Sequence, residues 1–109
     1  MADDMAAAIA RGAARRLAPE YGNHIEAEVE SALSGTQRYD LYEIGILIVA
    51  IATLAWDVYT KRRERKEARE VLERAIRTEV RREFGATPQS IRITEIVTME
   101  IMERSESPT

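Results

Sequence analysis

Ile44-Gly45-Ile46-Leu47-Ile48-Val49-Ala50-Ile51-Ala52-Thr53-Leu54-Ala55-Trp56 is a run of thirteen residues without a charge, the most apolar stretch of a 109-residue chain. By length alone it has the size of a buried core helix. Extended to residues 41–60 it reaches about twenty residues, or about 30 Å at 1.5 Å per residue, which matches a hydrocarbon core. The extension takes in Glu43 and Asp57. Both lie about one turn from an end, where a carboxylate reaches the headgroups. Ile44, Ile46, Leu47, Ile48, Val49, Ile51 and Leu54 each favour insertion by roughly 0.3–0.6 kcal/mol, on the order of 3 kcal/mol together. Tyr39 and Tyr42 precede the run, and Trp56 and Tyr59 follow it, as interfacial aromatic belts require.

The run is also apolar on every side, so a water-soluble version needs protein all round it. The rest of the chain is thin in apolar residues for such a wrap. These features predict a transmembrane helix over 40–60, anchored by Leu41, Ile44, Ile46, Leu47, Ile48, Val49, Ile51, Leu54, Trp56 and Tyr59. Two alternatives stay open. One is a helix buried in a soluble homo-oligomer that encloses residues 44–56. The other is a long buried strand, which fares worse on length and on the helix cap offered by Asp40.

Charge is distributed unevenly about this run. The net charge is −3, yet residues 1–43 carry eight acids against four arginines, and residues 57–109 carry eleven acids against twelve bases. Lys61, Arg62, Arg63, Arg65 and Lys66 follow the apolar segment directly. They read as an orientation signal and a contact for anionic headgroups, worth about 1 kcal/mol per base near a surface. The positive-inside rule then places the C-terminal half in the cytoplasm. Arg11, Arg15 and Arg16 stand in tension with that topology, because they would have to cross without a signal peptide. No such peptide is visible, since Asp3 and Asp4 replace a basic n-region and Arg11 and Gly12 break the alanine stretch.

Helical periodicity continues on both sides of the run. Met5, Ile9, Ala13 and Leu17 form a weakly amphipathic row that is expected to end before Pro19. Asn23 with Glu26 forms a capping-box pattern ahead of Ile25, Val29 and Leu33, and Ser34-Gly35 stops that helix. Asp40 with Glu43 repeats the pattern. From there no proline or paired glycine intervenes until Gly85, which predicts one long helix over about 40–84. Its second half carries the row Ala68, Leu72, Ile76, Val80 and Phe84. Its other faces offer the pairs Arg63–Glu67, Lys66–Glu70, Arg69–Glu73, Glu70–Arg74 and Glu73–Arg77. Gly85 ends it and Pro88 prevents resumption.

Residues 91–102 read as a β-strand: Ile91, Ile93, Val97, Met99 and Ile101 share one face, and β-branched residues dominate. A helix also fits there, through Ile93, Ile96, Val97 and Ile101. The expected architecture is therefore mainly α with a small α+β cytoplasmic module. It divides into an N-terminal helical segment (1–39), the span (40–60), an amphipathic helix plus strand (61–104) and a polar tail (105–109). A lone strand leaves both edges unpaired, so the module is expected to be completed by self-association or by a partner protein. Its interaction face would be Leu72, Ile76, Val80, Phe84, Ile93, Val97 and Ile101.

Residue types exclude several chemistries. With no cysteine and one histidine, thiolate and two-histidine metal sites are ruled out. His24 and Glu28 are an i, i+4 pair, but two ligands do not make a site. The glycines at 12, 22, 35, 45 and 85 are isolated, so there is no phosphate-binding loop. No serine stands in a nucleophile context, and the basic run lacks the aromatics of a nucleic-acid surface. The expected protein is not an enzyme and has no cofactor, small-molecule substrate or nucleic-acid partner. It is a membrane-anchored assembly or accessory adaptor whose partners are membrane lipid and protein. A small membrane-perturbing effector of the holin or toxin kind is the alternative. Fourteen arginines to two lysines, with abundant alanine, suggest a bacterial source.

Overall fold

Turn and capping residues cut the chain into five helices among the residues that the computed structural model describes, 4–35 and 44–106. These are α1 (Asp4–Tyr21), α2 (His24–Leu33), α3 (Ile44–Arg63), α4 (Arg69–Phe84) and α5 (Pro88–Glu106). α1 runs through Pro19 to Tyr21 instead of ending before the proline. Pro19 sits in the last turn and withholds the amide that would donate to the Arg15 carbonyl, yet the helix runs on to Tyr21. Gly22 supplies the stop, with φ +106° and its amide donating to the Ala18 carbonyl at 2.8 Å. α2 begins where the capping pattern places it, although Asn23 makes no side-chain cap. The expected cap of α3 at Asp40 and Glu43 lies outside the described residues.

The single helix expected over 40–84 is two helices. α3 ends at Arg63, Lys66 adopts φ +55°, and Ala68 is extended. A local and a tertiary cause converge here. In one helix, Lys61–Arg65 and Arg62–Lys66 would be like-charged i, i+4 neighbours, which are mutually destabilising. With the break, Lys61, Arg62 and Arg63 occupy the last turn of α3, where the macrodipole favours cations. The break also turns α4 back onto α3, so that Leu72, Ile76 and Val80 join the core. Arg62 reaches across the turn to Glu67 at 3.3 Å. Of the five pairs expected along the uninterrupted helix, Arg69–Glu73 forms, at 3.6 Å.

The C-terminal strand is overturned: residues 88–106 are helix α5. Pro88, read above as a barrier, is the first residue of that helix, where its fixed φ suits the start and no amide is missed. Thr87 and Ser90 form a reciprocal cap. The Ser90 amide donates to Thr87 Oγ1 and the Thr87 amide donates to Ser90 Oγ, both at 3.1 Å. Burial follows the helical alternative, with Ile93, Ile96, Val97, Ile101 and Met102 inside. Ile91 and Met99, which a strand would bury with them, are 46% and 42% exposed. β-branched residues lower helix propensity only weakly, and packing overrides it. No neighbouring strand is present among the described residues to pair with one here.

α3 is the hub, packing against α1, α2, α4 and α5. α1 also packs on α2 and α5, and α4 packs on α5. The whole measures 37 × 32 × 27 Å. Small residues set the spacing. Ala6, Ala10, Ala13, Ala14 and Ala18 of α1 are buried, so its neighbours approach closely. At Gly12 a Cβ would lie 2.5 Å from the Glu100 carboxylate of α5. At Gly45 it would meet α2 backbone, 2.9 Å from the Glu28 carbonyl carbon and the Val29 nitrogen. The Gly45 amide, one of the free donors in the first turn of α3, donates to Glu28 Oε1 at 2.9 Å.

Candidate interaction surfaces

Of the residues expected to meet lipid, Ile48, Ile51 and Tyr59 face the centre of this bundle and the other described ones lie at its margin. Ile48, Ile51, Ala52 and Ala55 are wholly buried, and Tyr59 nearly so. Ile44, Ile46, Leu47, Val49, Leu54 and Trp56 are half-buried. Trp56 and Tyr59 stack at 5.5 Å. Leu41, Tyr39 and Tyr42 lie outside the described residues. Thr53, Asp57 and Lys61 form the exposed stripe of α3, with Lys61 paired to Asp57 at 3.0 Å. Among the described residues α3 is the one helix long and apolar enough to cross a membrane; a core helix of a soluble protein has the same properties.

The basic run occupies the α3–α4 corner. Lys61 and Arg62 are engaged with Asp57 and Glu67, while Arg63, Arg65 and Lys66 are exposed. The residues proposed as an interaction face are largely internal. Leu72, Ile76, Val80, Ile93, Val97 and Ile101 belong to the core, and Phe84 packs against it half-buried. α4 and α5 close on α3 within one chain, so among the described residues no unpaired strand edge is left for self-association to complete.

Ion pairs tie the outer helices together. On α5, Glu100 accepts from Arg16 Nε of α1 at 2.9 Å and from Arg104 Nε at 3.2 Å. Arg16 also pairs with Glu103. Arg92 of α5 donates to Glu20 of α1 at 2.9 Å, and Arg11 of α1 to Glu30 of α2 at 2.7 Å. These partners place α1 antiparallel to both α2 and α5. The guanidinium hydrogen bonds hold Glu20 and Glu30 below the ordinary carboxylate range and raise Arg92 and Arg11.

A pH dependence follows. A carboxylate with a lowered folded-state pKa contributes stability above its unfolded value and loses it as pH falls through the folded value. Glu20→Gln and Glu30→Gln are thus expected to be less stable than the parent at neutral pH. The gap should close as pH falls through the acid range, read as urea midpoints. A gap independent of pH would contradict it. Both pairs are exposed, so the effect is small.

One surface concavity stands out that the sequence reading did not anticipate. It lies between α4 and the first turns of α5, has a volume of about 130 Å³, and is lined by Arg77, Val80, Arg81, Gly85, Ile91 and Glu95 among others. The Ser90 hydroxyl at its base is committed to the Gly85 and Thr87 carbonyls at 2.9 and 3.0 Å. Glu95 pairs with Arg92 at 3.3 Å. Arg74, Arg77 and Arg81 stand three and four residues apart on one exposed side of α4. The Thr-Pro-x-Ser start of α5 was the available signal: read as a cap, it makes 88–106 helical and leaves Ile91 on the outside.

His24 Nε2 lies 3.6 Å from Glu28 Oε2, but the other Glu28 oxygen is the cap on α3. No group of three or more metal-ligating side chains occurs among the described residues. Comparison with protein-family models, with curated proteins and with solved structures finds no match.

Proposed function

We propose that this chain is a small, non-enzymatic, helical protein-binding module, an adaptor, in which α3 is the core helix and not a membrane anchor. The observation that carries the reading is the packing of α3 on all four other helices, with Ile48, Ile51, Ala52 and Ala55 wholly buried. Drawing α3 into lipid would expose its partners, among them Ile9, Leu17, Ile25, Val29, Ile76, Ile93, Val97 and Ile101. Each is worth about 1.5–3 kcal/mol when buried. That loss exceeds the insertion gain of on the order of 3 kcal/mol.

The anchored reading keeps one observation in its favour. α3 is twenty residues long and ends on Lys61, Arg62 and Arg63, which is the composition of a span with a cytoplasmic end.

Thr53→Arg separates the two. Thr53 is exposed and sits at the middle of α3. In a core helix the arginine reaches water and stability changes by about 0.5 kcal/mol or less. In a span it stands at the bilayer centre and costs about 2.5–3.5 kcal/mol. The parent chain is expected in the detergent-free soluble fraction, and the variant with it. A parent chain that resists carbonate extraction, joined to a variant that no longer inserts, would overturn the core reading.

A further inference from the structure

We propose that the α4–α5 groove is the docking site of this module, and that it takes an acidic peptide segment of a partner protein bearing one bulky apolar side chain. The proposal rests on the adaptor reading and specifies its partner. The groove volume of about 130 Å³ is well below the several hundred Å³ that drug-sized ligands and cofactors fill, and it suits a single anchoring side chain. Val80 supplies an apolar floor. Ile91, 46% exposed at the mouth, is the most exposed large apolar residue among those described.

Charge selects the occupant. Arg77 and Arg81 line the groove and Arg74 continues the row one turn on. All three are exposed, and none takes part in an ion pair among the described residues, whereas Arg11, Arg16, Arg62, Arg69, Arg82, Arg92 and Arg104 all do. Glu95, the acid on the facing wall, is bound to Arg92. Free guanidiniums along one wall favour carboxylates on the incoming chain and disfavour a basic one. An apolar anchor in a small pocket with a charged rim is the usual form of a binding hot spot.

The test titrates the isotopically labelled full chain with a short synthetic peptide of glutamates and serines around one phenylalanine, followed by amide chemical shifts. Saturable shifts confined to residues 74–95 are expected at or below about 1 mM peptide. Arg77→Glu combined with Arg81→Glu, and separately Ile91→Asp, should each weaken binding about tenfold or more. Their dispersed spectra serve as the check that they fold. The same peptide with lysines for glutamates should be inert. Equal shifts from the lysine peptide, or none on α4 and α5, would overturn the proposal. So would binding of phosphatidylglycerol vesicles through the same arginines by a chain that ignores the peptide. A folded, soluble chain indifferent to the peptide sinks the groove alone, whereas a chain recovered only with membranes sinks the underlying reading first.

Discussion

Ile51→Ala is expected to lower the unfolding free energy by about 2–5 kcal/mol. Ile51 is wholly buried at the middle of α3, the helix that every other helix touches. Removing its outer carbons forfeits their transfer free energy and leaves a cavity that four packed neighbours can only partly fill. Against a total stability of about 5–15 kcal/mol for a domain of this kind, that loss is a large share. Urea unfolding followed by circular dichroism should show the midpoint fall with an unchanged slope, which marks a change in stability and not in the surface exposed. Ile91→Ala, at an exposed position of α5, is the internal control and should shift stability by about 0.5 kcal/mol or less. The pair also tests where α3 resides. For a side chain facing lipid, trimming isoleucine to alanine removes only a few tenths of a kcal/mol of insertion energy. Equal, small effects of the two substitutions would contradict the core position of α3.

Gly45→Ala is expected to destabilise by about 1–3 kcal/mol, the cost of overpacking a close contact. Alanine in a helix is ordinarily better than glycine by about 1 kcal/mol, so local propensity predicts the opposite sign. The structure decides against propensity because the new methyl meets α2 backbone at 2.9 Å, which has no rotamer to move. The helices must separate, and the Gly45 amide then loses its 2.9 Å bond to Glu28. Gly12→Ala provides a graded comparison. There the obstacle is the Glu100 carboxylate, the end of a flexible side chain, so the penalty should be smaller. It should come with loosening of the Arg16 and Arg104 contacts to Glu100. Thermal melts of the two variants read the order directly. A Gly45→Ala chain as stable as its parent would mean that α2 and α3 do not meet at this point.

The candidate groove was hidden for a reason that can be traced to single residues. Reading 91–102 as a strand put Ile91 on the same face as Ile93 and Ile101, and that face looked like the place for a partner. In α5 the period is 3.6, so Ile93, Val97 and Ile101 turn inward while Ile91 turns out toward Arg77 and Arg81. The surface that remained after the core closed thus keeps Ile91 but loses Ile93, Val97 and Ile101 to the interior. Thr94 and Thr98 are both buried on α5, although their branching favours strands and their hydroxyls favour exposure. Thr94 resolves the conflict by donating to the Ser90 carbonyl at 2.6 Å.

Local chemistry in the chain was sufficient for the helical character of most of this protein. It was also sufficient for the stops at Gly35 and Gly85, for most of the buried positions in the rows of α1, α2 and α4, and for the apolar identity of Ile44–Trp56. Those features depend on neighbours within a turn or two, which a linear reading can weigh. Tertiary packing decided the setting of the apolar run among four helices, and it tipped two features to which local chemistry also contributes: the break at 64–68, favoured by like-charged neighbours, and the helical state of 88–106, started by the Thr87–Ser90 cap. In each the local preference is weak or ambiguous, worth tenths of a kcal/mol per residue. Burial against helices distant in sequence, worth several kcal/mol, determines the outcome.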